Sequence, residues 1–143
     1  MNLLRALPEG GLEARASEQS PNVARRFTHI HHVRLVFVSE DAPEFAVALP
    51  EGEWRDERER DRIAAMLDES ARVVRDAVRG RLEARRDMDR HYDHPVLFLQ
   101  HMLWHEGYHH GQIKLALRAA AIPLADKVAG PVTWGVWMRK TKA

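Results

Sequence analysis

The stretch PVLFLQHMLWHEGYHHGQIKLALRAAA, residues 95–121, decides how the rest of the chain is read. His101, His105 and His109 recur every fourth residue, and the only interior breakers are Gly107 and Gly111. At about 100° per residue each step of four advances about 400°, so on an α-helix the three imidazoles climb one face. Two neighbouring rungs can grip one ion. All three cannot, because residues eight apart stand about 12 Å apart along the axis whereas a metal–nitrogen bond is about 2.0–2.1 Å. The stretch predicts a long helix carrying a two-histidine clamp, with the third ligand supplied by another element.

Working outward, Asp93-His-Pro95 supplies an N-cap candidate in Asp93 and a proline near the first turn, and Ile122-Pro123 ends the helix. Leu97, Leu103, Trp104, Ile113, Leu115 and Leu117 are expected to be divided between the core and a partner. Upstream, Ser20-Pro21 reads as N-cap and first helical residue of a helix to about Ser39, with Val23, Phe27, Ile30, Val33 and Phe37 on one stripe. The β-branched run VRLVFV at 33–38 also fits a strand. Of the histidines in this segment, His29 is aimed closest to the apolar stripe, and His31 and His32 sit farther from it. Residues 40–52 read as a loop with a turn of helix around Phe45–Leu49. From Trp54 to about Arg86 the pattern is a long amphipathic helix with Ile63, Leu67, Ser70, Val74, Ala77 and Leu82 inward. The alternating charges RDERERDR read as a solvated face. Residues 1–19 hold one apolar turn (Leu3, Leu4, Leu7) before Pro8 and Gly10-Gly11. The tail from Ala129 to Lys140, with Trp134 and Trp137, is expected to cover the helices irregularly. Three long helices with a fragment at each end predict an all-α, up-down bundle forming a single domain over residues 1–143.

Composition narrows the function. The 143 residues carry 22 Lys and Arg against 21 Asp and Glu, a net charge of +1, which gives no electrostatic reason to expect nucleic acid or an anionic membrane as partner. There is no cysteine, so disulfides and thiolate ligands are excluded and any metal must be held by His, Asp or Glu. No run has the apolar length of a membrane span and the N-terminus lacks a signal-peptide core, which makes cytoplasmic the default location. Nine histidines are the compositional oddity, six of them between positions 91 and 110 and three in His29-Ile-His-His32.

The pair His105/His109 with His29 from a separate helix makes a three-histidine set of the kind that leaves a metal position open for water or substrate. His101/His105 is a geometrically equal clamp one turn earlier, and His31 or His32 could replace His29 if the first long helix were rotated. Glu106, about 100° around from His105, is the candidate catalytic residue, as a base or as a partner behind the ligands; it could equally pair with His110 along the helix. Residues 105–109, His-Glu-Gly-Tyr-His, also match the HExxH signature of zinc peptidases. Neither extended form follows, since Gln112 and Leu115 stand where Gly and His are needed and no glutamate lies downstream of Glu106.

The segment His101-Met-Leu-Trp-His105-Glu-Gly-Tyr-His109-His-Gly-Gln-Ile113, with Phe27-Thr-His29-Ile-His-His-Val-Arg34 upstream and Trp134-Gly-Val-Trp137 at the end, resembles the DinB-like family. The likeness covers most of the chain from Leu3 on. It implies an up-down four-helix bundle, often homodimeric, with a divalent metal, zinc or nickel in different relatives, held here by His29, His105 and His109. It also implies action on a small-molecule substrate, since relatives include transferases and isomerases that use low-molecular-weight thiols such as mycothiol or bacillithiol. One departure stands out: the family's first long helix is cut to a few residues before Pro8, which leaves a groove for a second subunit or the tryptophan tail to close. The expected activity is metal-dependent hydrolysis or thiol S-transfer; a non-enzymatic metal-binding or interaction bundle is the alternative class.

Overall fold

The computed structural model describes residues 2–138, so Arg139 and Lys140 of the predicted tail lie outside it. Five α-helices follow in order: α1 Asn2–Arg5, α2 Val23–Asp41, α3 Arg60–Glu83, α4 Pro95–Ala119 and α5 Asp126–Val132. Short 3-10 turns occupy Pro43–Phe45 and Trp134–Trp137. No strand occurs among the described residues, and VRLVFV is helical within α2.

Where the helices begin departs from the sequence reading for identifiable reasons. Asn22, not Ser20, caps α2: its side-chain oxygen accepts from Arg25 N at 2.9 Å and its amide nitrogen donates to Asp56 at 3.0 Å. Ser20 is already engaged, its hydroxyl 2.8 Å from that of Ser17. α3 starts at Arg60 rather than Trp54, because residues 53–56 are drawn onto α2. The Trp54 ring stacks on His29, and the Arg55 carbonyl accepts from the Thr28 hydroxyl at 2.8 Å. At α4 the cap is His94, whose Nδ1 accepts from Val96 N at 3.2 Å, in place of Asp93. The helical turn expected around Phe45–Leu49 lies earlier, and its Phe45 ring rests on Gly80 where a Cβ would collide with it. That glycine makes room in α3 for the packed turn.

Two apolar clusters hold the helices together. One joins Leu3, Leu4, Leu7 and Leu12 to Phe27 and Ile30 of α2, Ile63 and Leu67 of α3, and Ile113 and Leu117 of α4. The other joins Val38, Val74, Ala77, Val78, Met88, Phe98 and Met102. Along α2 the core passes from Ile30 to Val38, and along α4 from Met102 to Ile113. Both gaps carry polar side chains, and the gap in α4 holds His105 and His109.

Leu97, Leu103, Trp104 and Leu115 of α4 are exposed, between 46% and 65%, and so is Leu82 of α3, which the helical stripe placed inward. Trp134 is half exposed, with the Lys114 ammonium of α4 5.8 Å from its ring centre; the Trp137 side chain is outside the described part. Between α3 and α4 lies an open groove of about 420 Å³, walled by Val74, Val78, Leu82, Leu99, Met102 and Leu103, with Arg34 and Glu106 also lining it.

Candidate metal centre

α2 and α4 cross so that His29 meets His105 and His109. The Nε2 atoms of His29 and His105 are 3.2 Å apart and those of His109 and His105 3.1 Å apart. A ligand atom from each of the three lies within 4.8 Å of those of the others, the only such set of three or more His, Asp or Glu groups among the described residues. Ligand nitrogens at about 2.0–2.1 Å from one ion stand about 3.3–3.4 Å apart if tetrahedral and about 2.8–3.0 Å apart if at right angles. These two separations fall between those values and the third pair lies within 4.8 Å, so the donor set is compatible with one divalent ion.

The other ring nitrogens decide where the lone pairs point. His109 Nδ1 lies 2.8 Å from Gln112 Oε1, and His29 Nδ1 lies 2.7 Å from a carboxylate oxygen of Glu53, in contact but off the line of a hydrogen bond. An oxygen facing Nδ1 favours the tautomer with its hydrogen there, which leaves Nε2 as an acceptor. Two of the three converging nitrogens are therefore acceptors, and only His105 is left to place one hydrogen between them. Such a cluster, with His29 and His109 buried, lacks donors for its lone pairs.

Protonation does not supply them. Burial is the main cause pushing His29 and His105 down to about 4, helped at His29 by His109, His32 and Arg26 and at His105 by His109, His29, His101 and Arg34. Burial also lowers His109, opposed in part by its bond to Gln112. All three rings are neutral at physiological pH, the form in which imidazole binds metal. Trp54 covers one face of His29, its ring centre 4.0 Å away and 3° from parallel.

The remaining candidates go elsewhere. His101 takes no part in the cluster, because its Nδ1 is hydrogen-bonded with the Tyr92 hydroxyl at 2.5 Å and its ring packs edge-on against Phe37. His31 is buried toward Met66 and Glu69 of α3, and His32 does not reach the other rings. Glu106 bonds Arg34 and stands 3.4 Å from His110 Nε2. Burial raises its pKa, but the hydrogen bond to His110 and the charge of Arg34 outweigh that and hold it at about 2. Tyr108 and Trp104 stack on one another at 5.7 Å on the outside of α4, rather than packing in the core. Glu53, Trp54, Gln112 and Arg26 are site residues that periodicity did not find. Gln112 had a signal, three residues after His109 and so on the same face; Glu53 lies in a segment with no periodic pattern.

An all-helical chain with three converging, neutral imidazoles defines a protein able to hold a metal ion at its centre. The model of the DinB family matches residues 1–121, and the chain belongs to that family. No curated protein matches the chain, and no solved structure matches it. No helix of the described residues is long and apolar enough to cross a membrane.

Proposed function

We propose that this protein binds one divalent ion, zinc or nickel, through Nε2 of His29, His105 and His109, and acts on a small molecule by hydrolysis or by transfer to a low-molecular-weight thiol. The observation that carries this reading is the meeting of three buried or half-buried Nε2 atoms with at most one hydrogen between them. When bound, the ion would keep its full charge among three neutral ligands and so bring a coordinated water or thiol toward ionisation near neutral pH. Glu53 and Gln112 orient the ligands, and Trp54 shields His29 from water. Glu106 is assigned to an ion-pair network with Arg34 and His110 rather than to the role of a base, because those two groups already hold its carboxylate. That engagement also disfavours the peptidase reading, which needs the glutamate free to activate water. The α3/α4 groove is within the size range of small-molecule sites, but it is lined by Glu106 and by none of the three histidines, so it is not assigned to the substrate.

The test is elemental analysis of protein purified without an affinity tag. About one ion per chain is expected, falling below a tenth of that in His29→Ala and His109→Ala. Equal metal in all three proteins would remove the site.

The outer face of α4 supports a homodimer that completes the four-helix plan left short by α1. Leu97, His101, Trp104, Tyr108, Gly111 and Leu115 follow steps of four and three, the spacing of a helix–helix seam. Four of them are 46–65% exposed, and a Cβ at Gly107 or Gly111 would meet nothing in this chain. Trp104 and Tyr108 alone leave roughly 200–300 Å² uncovered, a fair share of the about 800 Å² each partner buries in a standard interface. Light scattering is expected to give twice the chain mass for the wild type and the single mass for Trp104→Glu. A monomeric wild type would contradict the pairing.

A further inference from the structure

Arg26 is 6% exposed on α2 and forms no ion pair with any carboxylate among the described residues. A buried guanidinium without a carboxylate is unfavourable, so its placement calls for a reason. Its one hydrogen-bond partner is Gln112 Oε1, the same oxygen that His109 Nδ1 approaches at 2.8 Å. Nε of Arg26 is buried with no partner. The contrast with Arg34 is direct, since that guanidinium is matched by Glu106.

A primary amide can show either its oxygen or its NH₂ to a neighbour, and rotation by half a turn exchanges them. Arginine can only donate. With Arg26 against it, the atom of Gln112 at this point must be the oxygen, because NH₂ would set donor against donor in a buried place. The same oxygen then faces His109, which must answer with Nδ1–H. A bare Nε2 follows, and it points at His29 and His105.

We infer that Arg26 acts as the positioning residue that fixes the tautomer of His109: by holding the Gln112 amide oxygen inward it keeps the hydrogen on Nδ1 and leaves Nε2 free to ligate. His29 needs no such device, because the Glu53 carboxylate has an acceptor on either oxygen. The consequence for metal affinity rests on the three-histidine reading above; the tautomer itself does not, and it can be read without metal.

The experiment is long-range ¹H–¹⁵N NMR of the histidine rings in metal-free, full-length protein at neutral pH, paired with zinc titration against a competing chelator. In the wild type His109 is expected to carry its hydrogen on Nδ1. In Arg26→Met the amide is free to turn, and the ring should move to Nε2–H or to a mixture, with zinc affinity falling about 10–100-fold. Arg26→Met combined with Gln112→Glu should restore both, because a carboxylate has no donor face to present. If Arg26→Met does not fold, Arg26→Gln provides the same reading: a neutral amide can accept as well as donate, so Gln112 is free to turn, Nδ1–H loses its preference and zinc affinity drops by the same factor. An Nδ1–H ring in either variant, or reduced affinity with the tautomer unchanged, would overturn the inference. A wild type with the Nδ1–H ring but no zinc uptake would instead overturn the metal reading and leave the tautomer assignment standing.

Discussion

Two groups of histidines lie in the middle of this chain, and they resolve in opposite ways. Around Asp41, each ring nitrogen in contact has a complementary partner. His91 Nδ1 lies 2.8 Å from the fully buried Asp41 carboxylate, which also accepts the backbone N–H groups of Arg90 and His91, and His101 is paired with the Tyr92 hydroxyl, which can donate or accept. One turn further along α4, His105 and His109 meet His29 nitrogen to nitrogen. The first group is a closed hydrogen-bonded clamp that ties the loop before α4 to the end of α2. The second has more acceptors than donors. Histidine density alone therefore marks no site; the balance of donors and acceptors does.

That contrast can be broken experimentally, and the largest effect is expected at the open group. His109→Ala should abolish metal uptake, a loss of more than a hundredfold in affinity, whereas His101→Ala should leave it within about threefold; competition titration with zinc measures both. Equal losses would mean that the two groups are not distinct. At the closed group the effect falls on stability instead. Asp41→Ala leaves buried backbone donors unpaired and should cost about 2–4 kcal/mol in denaturant unfolding, with one ion per chain retained.

Acid sharpens the difference further. The neutral forms of His29 and His105 are favoured in the fold, with values near 4 against 6.5 for the free side chain. Between those values the unfolded chain binds more protons than the folded one. The metal-free protein should hold its full stability above about pH 6.5 and lose it progressively as the pH falls toward 4. Chemical denaturation across that range checks the sign; stability that rises on acidification would contradict it. Replacing His29 and His105 together by Gln should flatten this part of the profile. The smallest effect is expected from Tyr92→Phe, which removes one hydrogen bond to His101 and should cost about 1 kcal/mol without changing metal content.

The long helices were legible because apolar residues at steps of three and four repeat over several turns in α2 and α3. Their starts were less so. Trp54 and Arg55 read as the first turn of α3, yet stacking on His29 and bonding to Thr28 hold them outside it, and no local pattern reports contacts made across the fold. The exposure of α4 was hidden for a different reason: the helix is apolar nearly all round, so its sequence cannot say which side meets the core. His29 could be preferred from its angular position, whereas spacing left His101/His105 and His105/His109 equal and the family resemblance pointed to the second pair. Glu53 and Arg26 could not, since each acts through a partner distant in sequence: Glu53 on His29, Arg26 on Gln112.

X-ray absorption at the metal edge of zinc-loaded protein tests the central assignment most directly, because it counts the atoms around the ion and reads their distance. Three imidazole nitrogens at about 2.0–2.1 Å are expected, falling to two in His29→Ala if any metal is retained. An ion ringed by oxygen ligands alone, or a wild-type spectrum that His29→Ala leaves unchanged, would contradict it.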